Sequence, residues 1–378
     1  MKKDKIIFLS AKNPNTRKDW SGIPYFMFHH LSNYYDVEYV SPPAFFLLRK
    51  IGYYFSKAFH LVTGTKYLFE YGFVLAWLYG CYYSIVLRNK KGYSFVFSPA
   101  GLIELSFIRT DIPLVAASDC SVLQLVDYYP SLFNVSGLSK YEIENIERRA
   151  LKKISLVFLS SAWATNFFSS HFGFENTFTL PFGANSVSES ILAKVPNQQK
   201  CRLIFIGVDW ERKGGGKVLE IHRKLLELNL NSHLTIIGSV PPTGIIFDDR
   251  ITVINHINKD SEQGEAEFTS NLQQADFFIL PTKADCTPIV IAEALAFGVP
   301  VLTSRTGGIS SMIQDGYNGF LFDVNDTLGY ALKIIQLRNN VDLYRQVSEN
   351  CIRSNQQILN WRIWAASFHE QIKKYLKN

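Results

Sequence analysis

Two periods of apolar and polar positions take turns along this chain. Short apolar runs of β type recur at 5–10, 37–40, 94–97, 113–117, 156–160 and 177–181, and again at 202–207, 233–238, 251–254, 276–280, 299–303 and 319–322. Segments of helical length lie between most of them, including 141–152, 217–228, 266–274, 288–297 and 328–337. Strands alternating with helices predict βαβ units and parallel sheets. The run Phe277-Phe278-Ile279-Leu280 is apolar at every position, as a strand covered on both faces requires. Two such series predict an α/β protein of two doubly wound domains, 1–184 and 185–355, joined near the polar stretch 183–200. The last segment, 356–378, places Trp361, Ile363, Trp364, Phe368 and Ile372 in an amphipathic helical pattern.

Two segments bear on membranes. Residues 71–87 run for 17 positions without a charge and are followed by Arg88, Lys90 and Lys91. That is the lower limit for a transmembrane helix, and Gly80 and the tyrosines dilute it, so a buried or interfacial helix is favoured over a span. Residues 45–62 interleave Arg49, Lys50 and Lys57 with aromatics. This suits a helix lying on an anionic membrane surface; the plain alternative is a helix pair with its basic residues in water.

Composition narrows the classes. A length of 378 residues allows two domains, and 47% hydrophobic against 19% charged residues argues against disorder. The formal charge of +6 suits an anionic ligand or surface, while no basic block is dense enough to demand nucleic acid. Five cysteines with no CxxC pair exclude a disulfide framework and point to a reducing, cytoplasmic setting. The apolar run after Met1 is too short for a signal peptide and reads as a first core strand.

In open parallel sheets ligands bind beyond the carboxyl ends of the strands, so the strand-to-helix loops hold the candidate chemistry. In the loop after 276–280, Thr287 is placed to cap a helix with Pro288 in its first turn, and Gly298 to end it. The helix start favours an anion, and Asp285 and Glu293 can accept hydrogen bonds from sugar hydroxyls. Without chemistry, Asp285 is a turn residue and Glu293 a solvated helix residue. After 202–207, Gly207, Arg212, Lys213 and Gly214–Gly216 offer charge and close backbone approach to a phosphate. This loop is neither a Walker A loop nor a GxGxxG fingerprint. Thr306-Gly307-Gly308 and Asp19-Trp20-Ser21-Gly22 offer two further glycine turns. Asp119, just past 113–117, is placed to reach a ligand; otherwise it is a turn or cap residue. No paired-carboxylate metal site is evident.

At these positions the sequence resembles the retaining group 1 (family 4) glycosyltransferases of the GT-B fold. Asp285-x7-Glu293 with the following 294–301 looks like their E-x7-E segment. Gly207, Lys213-Gly214, Thr306-Gly307-Gly308 and the stretch 315–321 continue the pattern, which is specific over about 201–325, supported at 182–185 and diffuse over 1–180. The resemblance implies two Rossmann-like domains facing a cleft, with the C-terminal helix returning to the first. It implies a metal-independent hexosyltransferase with no cofactor. The donor would be a nucleoside-diphosphate sugar of UDP or GDP type, and the acceptor a glycan or lipid-linked glycan in surface or exopolysaccharide synthesis. Lys213, with Arg212 as basic partner, would hold the diphosphate and Glu293 the ribose. Asp285 with the backbone at Thr287, Pro288 and Ile289 would hold the sugar. Gly22 would stand near the phosphate, and Asp119, Lys213 and Asp285 would be the catalytic set. The sequence departs from the family in having Asp at 285, Val208 where an Arg is usual, and Asp119 where many members have His. Rival readings are a nucleotide-sugar epimerase on the same fold and a non-catalytic binding or scaffold subunit. The implied location is cytoplasmic, peripheral at the inner membrane face.

Overall fold

The computed structural model describes residues 3–186, 192–244 and 247–376, so part of the polar stretch 183–200 lies outside the described residues. The chain forms two compact units: Met1–Leu180 with Ala365–Asn378, and Pro181–Trp364. Each is built on a six-stranded parallel sheet. The doubly wound α/β expectation therefore holds in both units.

In the first unit the strands are β1 (Asp4–Leu9), β2 (Tyr35–Val40), β3 (Tyr93–Pro99), β4 (Leu114–Ser118), β5 (Ile154–Leu159) and β6 (Thr177–Thr179), in the order β2-β1-β3-β4-β5-β6. In the second they are β7 (Cys201–Ile206), β8 (Ser232–Ile237), β9 (Ile251–Ile254), β10 (Phe277–Leu280), β11 (Val301–Ser304) and β12 (Gly319–Phe322), in the order β12-β11-β10-β7-β8-β9. All four residues of β10 are buried, as its uninterrupted apolar run requires. Each order reverses once, between β1 and β3 and between β7 and β10, and ligands bind at such reversals.

The helix Phe73–Leu87 turns Leu75, Ala76, Tyr79, Tyr83 and Leu87 into the first unit's core. A Cβ at Gly80 would lie 2.4 Å from that of Phe107, so the glycine sets this close approach. The apolar run at 71–87 is thus a core helix, and no described helix is long and apolar enough to cross a membrane. In the helix Trp361–Leu376, Phe368 contacts the rings of Phe95, Phe97 and Phe158, the last at 4.5 Å between centroids. His369 meets the Tyr35 hydroxyl at 2.8 Å. These partners all belong to the first unit.

One helix start differs from expectation. The helix after β10 runs Ile289–Ala296 with Pro288, not Thr287, at its cap, and without a side-chain capping bond. Pro288 takes an extended conformation, ψ 101°, that delays the helix by one residue. Gly298 ends it with φ +64°.

Candidate functional site

The second unit's reversal point gathers the charged loop residues. After β7, Asp209 caps the short helix Trp210–Lys213 by accepting from the Arg212 amide at 3.1 Å. Gly214 then takes φ +81°, where an added Cβ would sit 2.0 Å from the Pro281 carbonyl oxygen. Only glycine lets the loop after β7 approach the loop after β10 this closely. The two are joined by the Arg212 carbonyl, which accepts from the Lys283 amide at 2.8 Å and the Thr282 hydroxyl at 3.1 Å.

This junction brings Lys213 and Asp285 together. The Lys213 ammonium pairs with Asp285 Oδ2, and both residues are buried. Arg212 Nη1 lies 3.6 Å from the same oxygen and donates to the Ala284 carbonyl at 2.9 Å, while its Nε donates to Asp209 at 3.1 Å. Gly207 leaves room for the lysine stem, since a Cβ there would lie 2.9 Å from Lys213 Cγ. The loop after β11 joins them: the Gly308 amide donates to the Asp285 carbonyl at 3.3 Å. Val208 projects into solvent, 83% exposed.

Thr287, Pro288 and Ile289 are buried beside Asp285 in sequence, and Glu293 lies one helical turn beyond Ile289. Glu293 is 1% exposed, so it is not a solvated helix residue. Its carboxyl pKa is raised by burial and drawn back down by the ammonium of Lys259, with which it pairs. Lys259, which also sits 3.9 Å over the Phe268 ring, was not expected from the sequence. As Lys259-Asp260-Ser261 it reads locally as the approach to a capped helix, and nothing in that pattern ties it to position 293.

In the first unit the structure joins two predicted loops. Trp20 Nε1 donates to Asp119 Oδ2 at 3.3 Å, and Lys12 Nζ lies 4.6 Å over the Trp20 ring. Trp20 and Ser21 take left-handed φ of 46° and 54° before Gly22 at 79°, which caps the helix Ile23–Leu31. Left-handed backbone costs a non-glycine residue roughly 1–2 kcal/mol; such strain clusters at functional sites. Burial raises the Asp119 pKa and lowers that of Lys12, and each charge opposes the other's shift. Glu104, past β3, belongs with them: its Oε2 is shut from solvent with no hydrogen-bond partner among the described residues. Lys12 and Glu104 were missed: they lie beyond the ends of β1 and β3, Glu104 inside the short helix Leu102–Leu105, whereas Asp119 directly follows β4. Asp119 and Gly22 lie in the first unit, and the other predicted site residues lie in the second.

Glu104 gives a pH prediction. Burial raises its pKa to about 7, against the pull of Lys12 and Arg49. Above the ordinary carboxylate pKa of about 4.3 the unfolded chain releases this proton while the folded chain keeps it. Its contribution to stability is therefore complete below about pH 4 and is lost as pH rises through about 7. The melting temperature should fall from pH 5 to 8, and Glu104→Gln should flatten that fall by on the order of 2 kcal/mol. Parallel profiles for the two proteins would show that the carboxyl ionises normally.

The family resemblance falls within the second unit. Residues 200–340 match the family model described as glycosyl transferases group 1. The chain is 31% identical over 170 residues to the N-acetyl-alpha-D-glucosaminyl L-malate synthase of Bacillus anthracis, covering 45% of this chain and 41% of that protein. It is 30% identical over 97 residues to an uncharacterized glycosyltransferase of Methanocaldococcus jannaschii, covering 26% and 28%. The chain thus spans less than half the length of these curated relatives. Among solved structures, the lipopolysaccharide outer core galactosyltransferase WaaB superposes with a TM-score of 0.66 at 12% identity, over 98% of this chain and 99% of that one. Anabaena HepE, solved with UDP and glucose, superposes with 0.65 at 15% identity over 98% and 100%. At such identities these likenesses speak for the fold. With two six-stranded parallel sheets of GT-B type, the chain carries in residues 200–340 the pattern of the group 1 glycosyltransferase family.

Proposed function

We propose that the protein is a retaining, metal-independent glycosyltransferase that moves a hexose from a nucleoside-diphosphate sugar, of UDP or GDP type, to a glycan or lipid-linked glycan acceptor in surface or exopolysaccharide synthesis. The observation that carries this reading is the buried Lys213–Asp285 pair at the second unit's strand-order reversal, with Arg212 on the same carboxylate. As the anomeric carbon–oxygen bond breaks, negative charge grows on the departing diphosphate. Lys213 is the cation placed to meet it, with Arg212 beside it. Asp285 and the backbone at 287–289 hold the sugar, and Glu293, kept in place by Lys259, holds the ribose hydroxyls. The acceptor oxygen forms its bond on the face the diphosphate leaves, and its proton passes to the departing phosphate oxygen. The acceptor side is assigned to the first unit, where Asp119, Lys12 and the strained turn before Gly22 supply polar groups.

A thermal-shift panel of UDP-, GDP- and ADP-sugars tests the donor class. A ligand at 100 times its Kd stabilises the native state by about 2.7 kcal/mol. One nucleotide family should raise the melting temperature well above the others, and that rise should shrink in Lys213→Ala. No shift with any of them would defeat the nucleotide-sugar reading. Binding without transfer to any glycan acceptor would favour a non-catalytic subunit.

A further inference from the structure

Strand β8 departs from the apolar rule of a sheet covered on both faces. Ser232, Leu234 and Ile236 are buried, while His233 and Thr235 are only half-buried. The parallel register sets Arg202 beside His233, Ile204 beside Thr235, and Thr235 beside Thr252 of β9. Side chains alternate along a strand, so these five share one face of the sheet. The last turn of the helix Glu262–Gln274 borders them with Asn271 and Gln274, and Lys200 stands just before β7. Together they line a cavity of about 330 Å³; small-ligand sites run from about 300 to 1,000 Å³. The cavity lies toward the amino ends of β7 and β8, whereas Lys213 follows the carboxyl end of β7.

The lining divides by chemistry. Lys200 and Arg202 carry no ion pair, and no carboxylate lines the cavity, among the described residues. Two acids of the neighbourhood are committed elsewhere: Asp276 accepts from the Asn197 and Arg202 amides at 3.1 and 2.7 Å, and Asp248 pairs with Arg250. Burial first, and then Lys200 and Arg202, push the His233 pKa down against the pull of Asp249 and Asp248, a sign that positive potential collects here. The other groups are neutral. Asn271 Nδ2 donates to the Glu267 carbonyl at 2.9 Å and Gln274 Nε2 to the Ser270 hydroxyl at 3.0 Å, which leaves the two amide oxygens to accept from a ligand.

We infer that this cavity binds a small phosphate monoester whose body carries hydroxyl groups. The two kinds of lining group select that ligand together. The planar guanidinium of Arg202 and the ammonium of Lys200 suit the oxygens of a phosphate. The amide oxygens of Asn271 and Gln274 cannot bind a bare anion; they need donors, which hydroxyls on the ligand's body supply. The Thr235 and Thr252 hydroxyls serve either part. No Phe, Tyr or Trp lines the cavity among the described residues, so nothing there stacks on a nucleobase. This inference stands apart from the sugar-transfer reading; it uses none of the residues assigned to the donor.

Isothermal titration of the full chain with sorbitol 6-phosphate, inorganic phosphate and sorbitol tests it. The ester should bind about tenfold or more tightly than inorganic phosphate, because only its hydroxyls reach the amide oxygens. Sorbitol, which lacks the anion, should show no binding at millimolar concentration. Lys200→Ala with Arg202→Ala should weaken the ester by about 30-fold or more, since two charge-assisted contacts are lost. Arg202 is exposed and Lys200 half-buried, so this double variant should melt with the wild type. Thr235→Val with Asn271→Ala should weaken the ester and leave inorganic phosphate unchanged, and Lys213→Ala should bind the ester as the wild type does. No binding of the ester, equal binding in the Lys200 and Arg202 double variant, or inorganic phosphate binding as tightly as the ester would overturn the inference. So would binding that is lost in Lys213→Ala and kept in the double variant, because the phosphate would then sit with the donor.

Discussion

Lys213→Ala should cut donor-dependent kcat/KM by roughly 30- to 1,000-fold, a loss of about 2–4 kcal/mol of transition-state stabilisation. The ammonium is held where β7 and β10 part, its stem accommodated by Gly207. It faces a charge that increases as the diphosphate departs, so kcat should fall along with donor affinity. The variant also leaves Asp285 buried without its ammonium, and breaking a buried pair destabilises a fold by about 3–5 kcal/mol; Arg212, 3.6 Å away, will offset part of that. Stability and activity can be separated. Lys213→Met with Asp285→Asn removes both charges and should return the melting temperature toward wild type while transfer stays lost. If the double variant regained transfer with its stability, Lys213 would be a structural cation only. Arg212→Ala tests the other cation. Its guanidinium is committed to Asp209 and the Ala284 carbonyl, so its loss should cost less than that of Lys213.

The sequence carried the strands well and the side-chain partnerships poorly. Periodicity located all twelve strands of the described residues because each is a short run whose apolar positions have to be buried, and a run such as 277–280 has no other stable place. The turn residues marked where the chain reverses, and the positions of Gly214 and Gly298 follow from backbone conformations that other residues resist. The distinction between a buried and a solvated Glu293 was out of reach. A carboxylate inside an apolar helix reads the same whether it faces water or a lysine 34 residues away. Left-handed Trp20 and Ser21 were equally invisible, since neither residue type announces that conformation. At 71–87 the glycine and tyrosines that dilute the apolar run favoured a buried helix over a span, and the run does pack into the first unit's core; hydropathy alone cannot tell a lipid from the rings and aliphatic chains of a protein core. The helix with the more exposed apolar row, Phe46–Thr63, has a lower average hydropathy because lysines and an arginine are mixed into it.

Asp285→Asn and Glu293→Gln should impair transfer in different ways. Glu293→Gln should mainly raise the donor KM, because ribose contacts are the same in the ground and transition states. Asp285→Asn should lower kcat more, because contacts to the sugar set the anomeric carbon in line with the acceptor. Each lost charged hydrogen bond is worth roughly 1.5–3 kcal/mol, about 10- to 150-fold in the affected constant. The buried environments add a second signature. Glu293 has a raised pKa, so its ionisation draws stability from the fold as pH climbs through that value, and the glutamine should remove this part of the pH dependence. Lys259 is partly exposed and can turn to water when its partner loses charge, so the variant should stay folded. Asp285→Asn strands the buried Lys213 ammonium and should lower the melting temperature, a loss that Lys213→Met should relieve without restoring kcat. Wild-type kinetics in both single variants would remove the carboxylates from the donor site and leave Asp285-x7-Glu293 as two buried carboxylates whose ion pairs serve only the fold.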